Sequence, residues 1–361
     1  MRAMTTPSLN PLRNKHRRHQ RGAAMLILML IVMLGLITLF TFRMDRKAPE
    51  LDADRKTALA LAQAKEALLG YAAADANRPG SLPCPDINDD GDTTVGIDAS
   101  CTATVVARLP WKQLRLTDLR DGNAERLWYA VSPNFRASLS TALNSTFGGQ
   151  ITIRDSNGVI VYNANASPST GVIAVIIAPG SVITRQGAAM PQDRSCTGGG
   201  GCSANATCLA PYQSVAKCNP TNYLDILNGI EDNADFSAPA PPSPPNGFIT
   251  GVIKDASGAT LVNDRILTIT KQELFSVVTV RMAHELANYW NNPPGNYFPP
   301  SSTSSFTSVP VPTIWSNNGW NSAVTVSNST LTQFTIQFAN CSAGYTITID
   351  NTYGVTRNGQ C

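Results

Sequence analysis

The sequence predicts an α+β chain in which a long N-terminal transmembrane helix precedes disulfide-stapled, β-rich globular lobes. Three observations predict it. Residues 23–42 are apolar and uncharged throughout. All eight cysteines lie beyond that run. The rest of the chain is rich in Thr, Ser, Asn, Gly and Pro and carries short alternating runs of the kind that form strands between turns.

The N-terminus sets the topology. Arg2, Arg13, Lys15, Arg17, Arg18 and Arg21 precede the apolar run with no acid among them, while the whole chain is only +3, so the remainder is acidic on balance. The basic character belongs to this leader, and the remainder offers no basic face for nucleic acid. As a helix, twenty apolar residues span roughly 30 Å, the thickness of a bilayer core. The basic cluster then stays cytoplasmic and the bulk lies outside. A cleaved secretory signal has an apolar core of about 7–15 residues and a small-residue cut site. Here the run is longer and ends in Phe42-Arg43-Met44-Asp45. A plain signal anchor is the alternative.

A basic leader ending Gln20-Arg21-Gly22, followed by Ala23 and an unbroken apolar helix, resembles the start of type IV prepilins and type II secretion pseudopilins. The resemblance implies a single-pass protein of the bacterial inner membrane, N-terminus cytoplasmic and bulk periplasmic or extracellular, with pilin-like lobes. It implies cleavage by a prepilin peptidase between Gly22 and Ala23 and methylation of Ala23. Its partners would be that peptidase, other pilin or pseudopilin subunits and the lipid bilayer. Most members of the family carry Glu at the fifth mature position, where this chain has Ile27. A carboxylate in lipid is retained only with a partner. Its absence points away from a major fibre subunit and towards a minor or tip component.

The helix continues to about residue 78, with a break at Pro49 and an apolar stripe at Ala58, Leu61, Ala64, Leu68 and Tyr71. Pro79-Gly80 ends it. Next, Asp86, Asn88 and Asp90 before Gly91 match the first half of a calcium loop, with Asp92 a further candidate ligand. The second half fails, because Ile97 holds the closing position. The alternative is a solvated acidic turn closed by a Cys84–Cys101 disulfide.

The remaining cysteines are Cys196, Cys202, Cys208, Cys218, Cys341 and Cys361. Zinc sites favour pairs with two to four intervening residues. The closest pairs here have five, so disulfides in an oxidising compartment are expected. Cys341–Cys361 is a second expected pair, and the four central cysteines pair among themselves in a loop over residues 193–220.

Residues 79–237 form the first expected lobe, after the leader (1–22) and helix (23–78). It holds a turn at Asp121-Gly122-Asn123 leading to a strand at Leu127–Val131. A hairpin follows around Asp155–Gly158, then a fully buried strand from Val172 to Ala178. Residues 238–247 read as a Pro-rich linker. The C-terminal lobe, 248–361, opens with a capping box at Thr270-Lys-Gln-Glu273 and a helix presenting Leu274, Val278, Met282 and Tyr289. Alternating strands follow at Phe334, Ile336, Phe338 and at Tyr345, Ile347, Ile349.

Catalysis has little support. His284 is the one histidine beyond Gly22, and Asn288 stands where a zincin motif needs its second histidine. The reading is a minor pilin or pseudopilin, not an enzyme. The alternatives are an anchored adhesin, marked by exposed aromatics near Trp315 and Trp320, and an anchored hydrolase, marked by a deep acidic cleft.

Overall fold

The computed structural model describes residues 20–361 apart from 88, 94–104, 193, 195–218, 230, 236–246, 293–296, 307–308, 328 and 343. Within the first helix, the side chains of 20–24 and 37–48 are outside the description. The chain divides into two compact units, Met1–Asp54 and Arg55–Cys361. The first helix, α1 (Gln20–Ala74), begins in the first unit and ends in the second.

In the first unit, α1 runs through Pro49 without the expected break. The membrane span is also corrected. Among the described residues no helix is long and apolar enough to cross a membrane. Thus the α+β class stands without the transmembrane helix.

In the second unit, α1 buries Thr57, Ala60, Leu61, Ala64, Leu68, Leu69 and Ala72. Leu61, Ala64 and Leu68 belong to the expected stripe, but Ala58 is exposed and Tyr71 half-buried.

That stripe shares its apolar cluster with a four-stranded antiparallel sheet. In order the strands are β1 (Ala107–Arg108), β2 (Trp128–Val131), β5 (Ala174–Ala178) and β11 (Arg265–Ile269). Side chains alternate across a strand. Tyr129, Val131, Ala174, Ile176 and Ala178 join the cluster that contains α1, while Trp128, Ala130, Val175 and Ile177 join a second cluster. The second cluster adds Ile151, Ile153, Val172, Tyr223 and Phe248. The sheet is therefore buried on both faces, as the unbroken apolar run at 172–178 predicts.

The second cluster is closed by a smaller sheet, β4 (Ile160–Tyr162), β3 (Thr152–Arg154) and β8 (Gly247–Ile249). The β3–β8 pair is parallel and the β3–β4 hairpin antiparallel. Two short ribbons complete this region: β6 (Ile226–Leu227) with β7 (Glu231–Asp232), and β9 (Ile253–Lys254) with β10 (Thr260–Val262). The expected linker, 238–247, lies outside the described residues except for Gly247, which opens β8. Strands from either side of it nevertheless pair, β5 with β11 and β3 with β8, and residues 55–361 cluster as one unit.

The second helix, α2 (Lys271–Asn291), opens with the expected capping box. Thr270 Oγ1 accepts from Glu273 N at 3.3 Å, and Glu273 Oε2 accepts from Thr270 N at 2.9 Å. Leu274, Phe275, Val278, Met282, Leu286 and Trp290 are buried, whereas Tyr289 is exposed. Glu273 also pairs with Lys65 of α1.

A short helix, α3 (Thr313–Asn317), leads to a four-stranded meander: β12 (Val324–Ser327), β13 (Gln333–Phe338), β14 (Thr346–Asp350) and β15 (Val355–Asn358). Phe334, Ile336, Phe338, Ile347 and Ile349 point into the α1–α2 cluster. Trp290, Phe306, Trp315 and Trp320 fill it, and all are buried.

Leu68 is fully buried in the apolar cluster that α1 shares with the sheet. Leu68→Ala is expected to destabilise the fold by about 2–5 kcal/mol, read by urea denaturation of the full chain in detergent. The exposed Leu59→Ala, on the opposite face of the same helix, serves as the near-neutral control.

Candidate functional site

Two regions carry the residues singled out by the sequence: the start of α1 and the acidic loop after its end. Gly22 and Ala23 lie in the first turn of α1. From Met25 to Leu36 every large apolar side chain is at least half exposed, from Val32 and Leu34 at 54% to Met25 at 76%. Ile27, at the fifth position after the expected cut, is 61% exposed. Surface helices are ordinarily polar on their outward face, and a helix apolar all round is ordinarily buried by neighbours. Fully burying each such side chain contributes roughly 1.5–3 kcal/mol, so this surface is suited to association with other apolar helices.

The acidic loop carries a set of internal hydrogen bonds. Asp86 is buried, and its Oδ2 accepts from Gly91 N at 2.7 Å. Its backbone bridges Arg108 through two hydrogen bonds of 2.9 Å. Gly91 sits at φ +88°, and a Cβ there would lie 2.6 Å from Trp111 Nε1, so position 91 requires glycine on both counts. Asp90 Oδ1 accepts from Asp92 N at 2.8 Å. Asn88 lies outside the described residues.

Two guanidinium groups border this loop. Arg126 Nη1 lies 2.9 Å from Asp89 Oδ1, and Arg108 Nε lies 3.9 Å from the same oxygen. Arg108 is buried, its guanidinium 4.0 Å from the Trp128 ring centroid and 4.2 Å from that of Tyr223. Burial lowers its pKa, with the Asp89 charge acting against the shift. Burial also acts to lower that of Arg126, but Asp118 and Asp89 outweigh it and the net shift is upward. Among the described residues no group of three or more His, Cys, Asp or Glu side chains is placed to hold a metal ion. Two cations thus border Asp89.

The cysteines follow the sequence where they are described. Cys341 and Cys361 form a disulfide with Cα atoms 4.4 Å apart. Cys84 is buried and disulfide-bonded. Cys101, its expected partner, and Cys196, Cys202, Cys208 and Cys218 lie outside the described residues.

The other candidates are separated. His284 is exposed on α2. Trp315 and Trp320 are buried, so they form no aromatic surface. A groove of about 630 Å³ runs between the end of α1 and the following loop, lined by Ala67, Tyr71, Asp75, Gln113 and Arg115. Gln113 Nε2 donates to Tyr71 Oη across it at 3.1 Å. Compared with protein-family models, curated proteins and solved structures, the chain matches none of them.

The sequence reading missed Arg108, Arg126 and Tyr223 around the acidic loop. They come from three separate stretches of chain, and no local motif joins them. Asp86→Ala removes the acceptor for a buried backbone N–H and is expected to cost about 1–3 kcal/mol, equally in calcium and in chelator. Thermal melts of wild type and variant in both solutions check this. A calcium-dependent gain present in wild type and lost in the variant would instead support calcium at this loop.

Proposed function

We propose that this protein is a minor structural subunit of a pilin-like assembly, a type IV pilus or a type II secretion machine, with a place at or near its tip. The observation that carries the reading is the helical surface from Met25 to Leu36, apolar and exposed all round. Such a surface is completed by the equivalent helices of other subunits. The Gln20-Arg21-Gly22-Ala23 sequence ahead of it resembles a prepilin cleavage site and supports the same reading.

Ile27 supports the tip placement. Inside a fibre, each subunit's N-terminal amine needs a counter-charge from its neighbour, because an unpaired charge among apolar helices is costly. An apolar residue at this position supplies none. A subunit with no neighbour above it needs to supply none.

The mature chain is expected to begin at Ala23, and Gly22→Phe is expected to block processing. Mass spectrometry of the purified protein checks both, and an intact leader in wild type would remove the basis for the proposal. A photo-crosslinker at Leu28 is expected to capture other pilin-like chains at far below one copy per major subunit. Capture at equal stoichiometry along whole fibres would exclude the tip, and capture of no pilin-like chain would exclude the assembly role.

A further inference from the structure

A second charged cluster lies in the unit formed by residues 55–361, around Asp225 and Asp264. Both carboxylates are fully buried. Asp225 precedes β6, and Asp264 precedes β11. Each reaches the other's backbone: Asp264 Oδ2 accepts from Asp225 N at 2.7 Å, and Asp225 Oδ2 accepts from Asp264 N at 3.3 Å. Asp225 Oδ2 also accepts from Asn263 N at 2.7 Å, and its Oδ1 accepts from Gln192 Nε2 at 3.0 Å. Asp264 Oδ2 takes a second bond, from Asn233 Nδ2 at 2.9 Å. Asp264 Oδ1 is buried and has no hydrogen-bond partner among the described residues.

Arg194 is the cation facing the pair. It is spread over other acceptors, donating to Gly180 O at 2.7 Å, Gln192 Oε1 at 2.8 Å and Tyr223 O at 3.1 Å, with Glu125 at 3.9 Å. Neighbouring charges are matched elsewhere. Arg185 pairs with Asp232 of β7, Arg154 of β3 with Glu231 of β7 at 3.1 Å, and Asp121 accepts from Gly180 N at 3.1 Å. One guanidinium, shared in this way, faces two buried carboxyls.

Two buried carboxylates side by side cannot both be ionised without a large penalty. Asp264 Oδ1, which holds no hydrogen bond among the described residues, is the oxygen on which a proton displaces none. We propose that Asp225 and Asp264 form a proton-holding pair that retains one proton at neutral pH, and that this proton sets how firmly Gln192, Asn233 and Asn263 are held around the pair. Burial pushes the Asp225 carboxyl up to about 6, against the backbone N–H groups of Asn263 and Asp264. Burial, joined by the Asp225 charge, pushes Asp264 well above the usual carboxylate range.

The sign follows from linkage. Both acids hold protons in the folded state that the unfolded chain releases near pH ~3.9. Their contribution to stability is fully present below that value. It is lost as pH rises, first through about 6 at Asp225 and further as Asp264 releases its proton. The pair therefore favours the fold in mild acid, opposite in direction to a salt-bridged carboxylate.

Asp264→Asn tests this in the full chain in detergent. The amide keeps an oxygen for Asp225 N and Asn233 Nδ2 and carries its own hydrogens where the acid needs a proton. Asp264→Ala loses both functions. Infrared spectra near pH ~7 are expected to show a protonated-carboxyl band in wild type that Asp264→Asn lacks. Between about pH 5 and about pH 8 the wild-type melting temperature is expected to fall relative to Asp264→Asn, which melts at or above wild type at the upper end. Asp264→Ala is expected to melt below both throughout. Absence of the band, or Asp264→Asn melting as low as Asp264→Ala, overturns the proposal.

Discussion

The structure of residues 55–361 depends on one constraint: strand β5 has no solvent face. From Ala174 to Ala178 all its side chains are buried, and alternate residues belong to different apolar clusters. A sheet in this position needs a cover on each side and a strand at each flank. α1 and α2 belong to the cluster on one face, and the β3–β8 region to the cluster on the other. β2 and β11 flank it in unbroken register, Val131 opposite Ala174 and Ile269 opposite the same residue. Burial of this kind is the main favourable term in folding, so losing either cover would expose a face of β5.

Charges were then placed where the apolar layers meet loops. Arg108 ends β1 with its guanidinium between Trp128 and Tyr223, so a buried cation is offset by two ring faces and by Asp89. The acidic loop is thereby pinned to the sheet through Arg108 twice, by backbone pairing with Asp86 and by the side chain. A guanidinium suits this role better than an ammonium, because its flat face stacks while its edge donates. Arg78 works similarly near the end of α1, donating to the backbone carbonyls of Asn134, Arg136 and Thr141.

What the sequence revealed was local. The capping box at Thr270–Glu273, the doubly buried run at 172–178, the alternation in β13 and β14 and the Cys341–Cys361 staple all follow from neighbouring residues. The failures arise where a local rule met longer-range context. Pro49 does not interrupt α1, and among the described residues no helix is long and apolar enough to cross a membrane. The Pro-rich stretch suggested a boundary, yet β5 pairs with a strand about ninety residues on, from Arg265↔Ala178 to Ile269↔Ala174. At the candidate sites, Gly22, Ala23 and Ile27 were proposed from order along the chain alone. Arg108 with Tyr223, and Asp225 with Asp264, were not, because only the fold brings them together.

The polar cluster around Asp225 and Asp264 has a structural reason to stand where it does. β5 and β11 pair up to Ala178 and Arg265, and beyond that point backbone groups are buried without a ladder to join. Buried N–H and C=O groups must still find partners. The N–H groups of Asp225, Asn263 and Asp264 find them in the two carboxyls, and the carbonyls of Gly180 and Tyr223 find theirs in Arg194. Neutral amides could serve single positions, as Asn233 does for Ile249. A carboxyl accepts on two oxygens, so two acids and one arginine close this end of the sheet with few residues. The same economy places two like charges in a dry site, and a proton is the smallest group that relieves them.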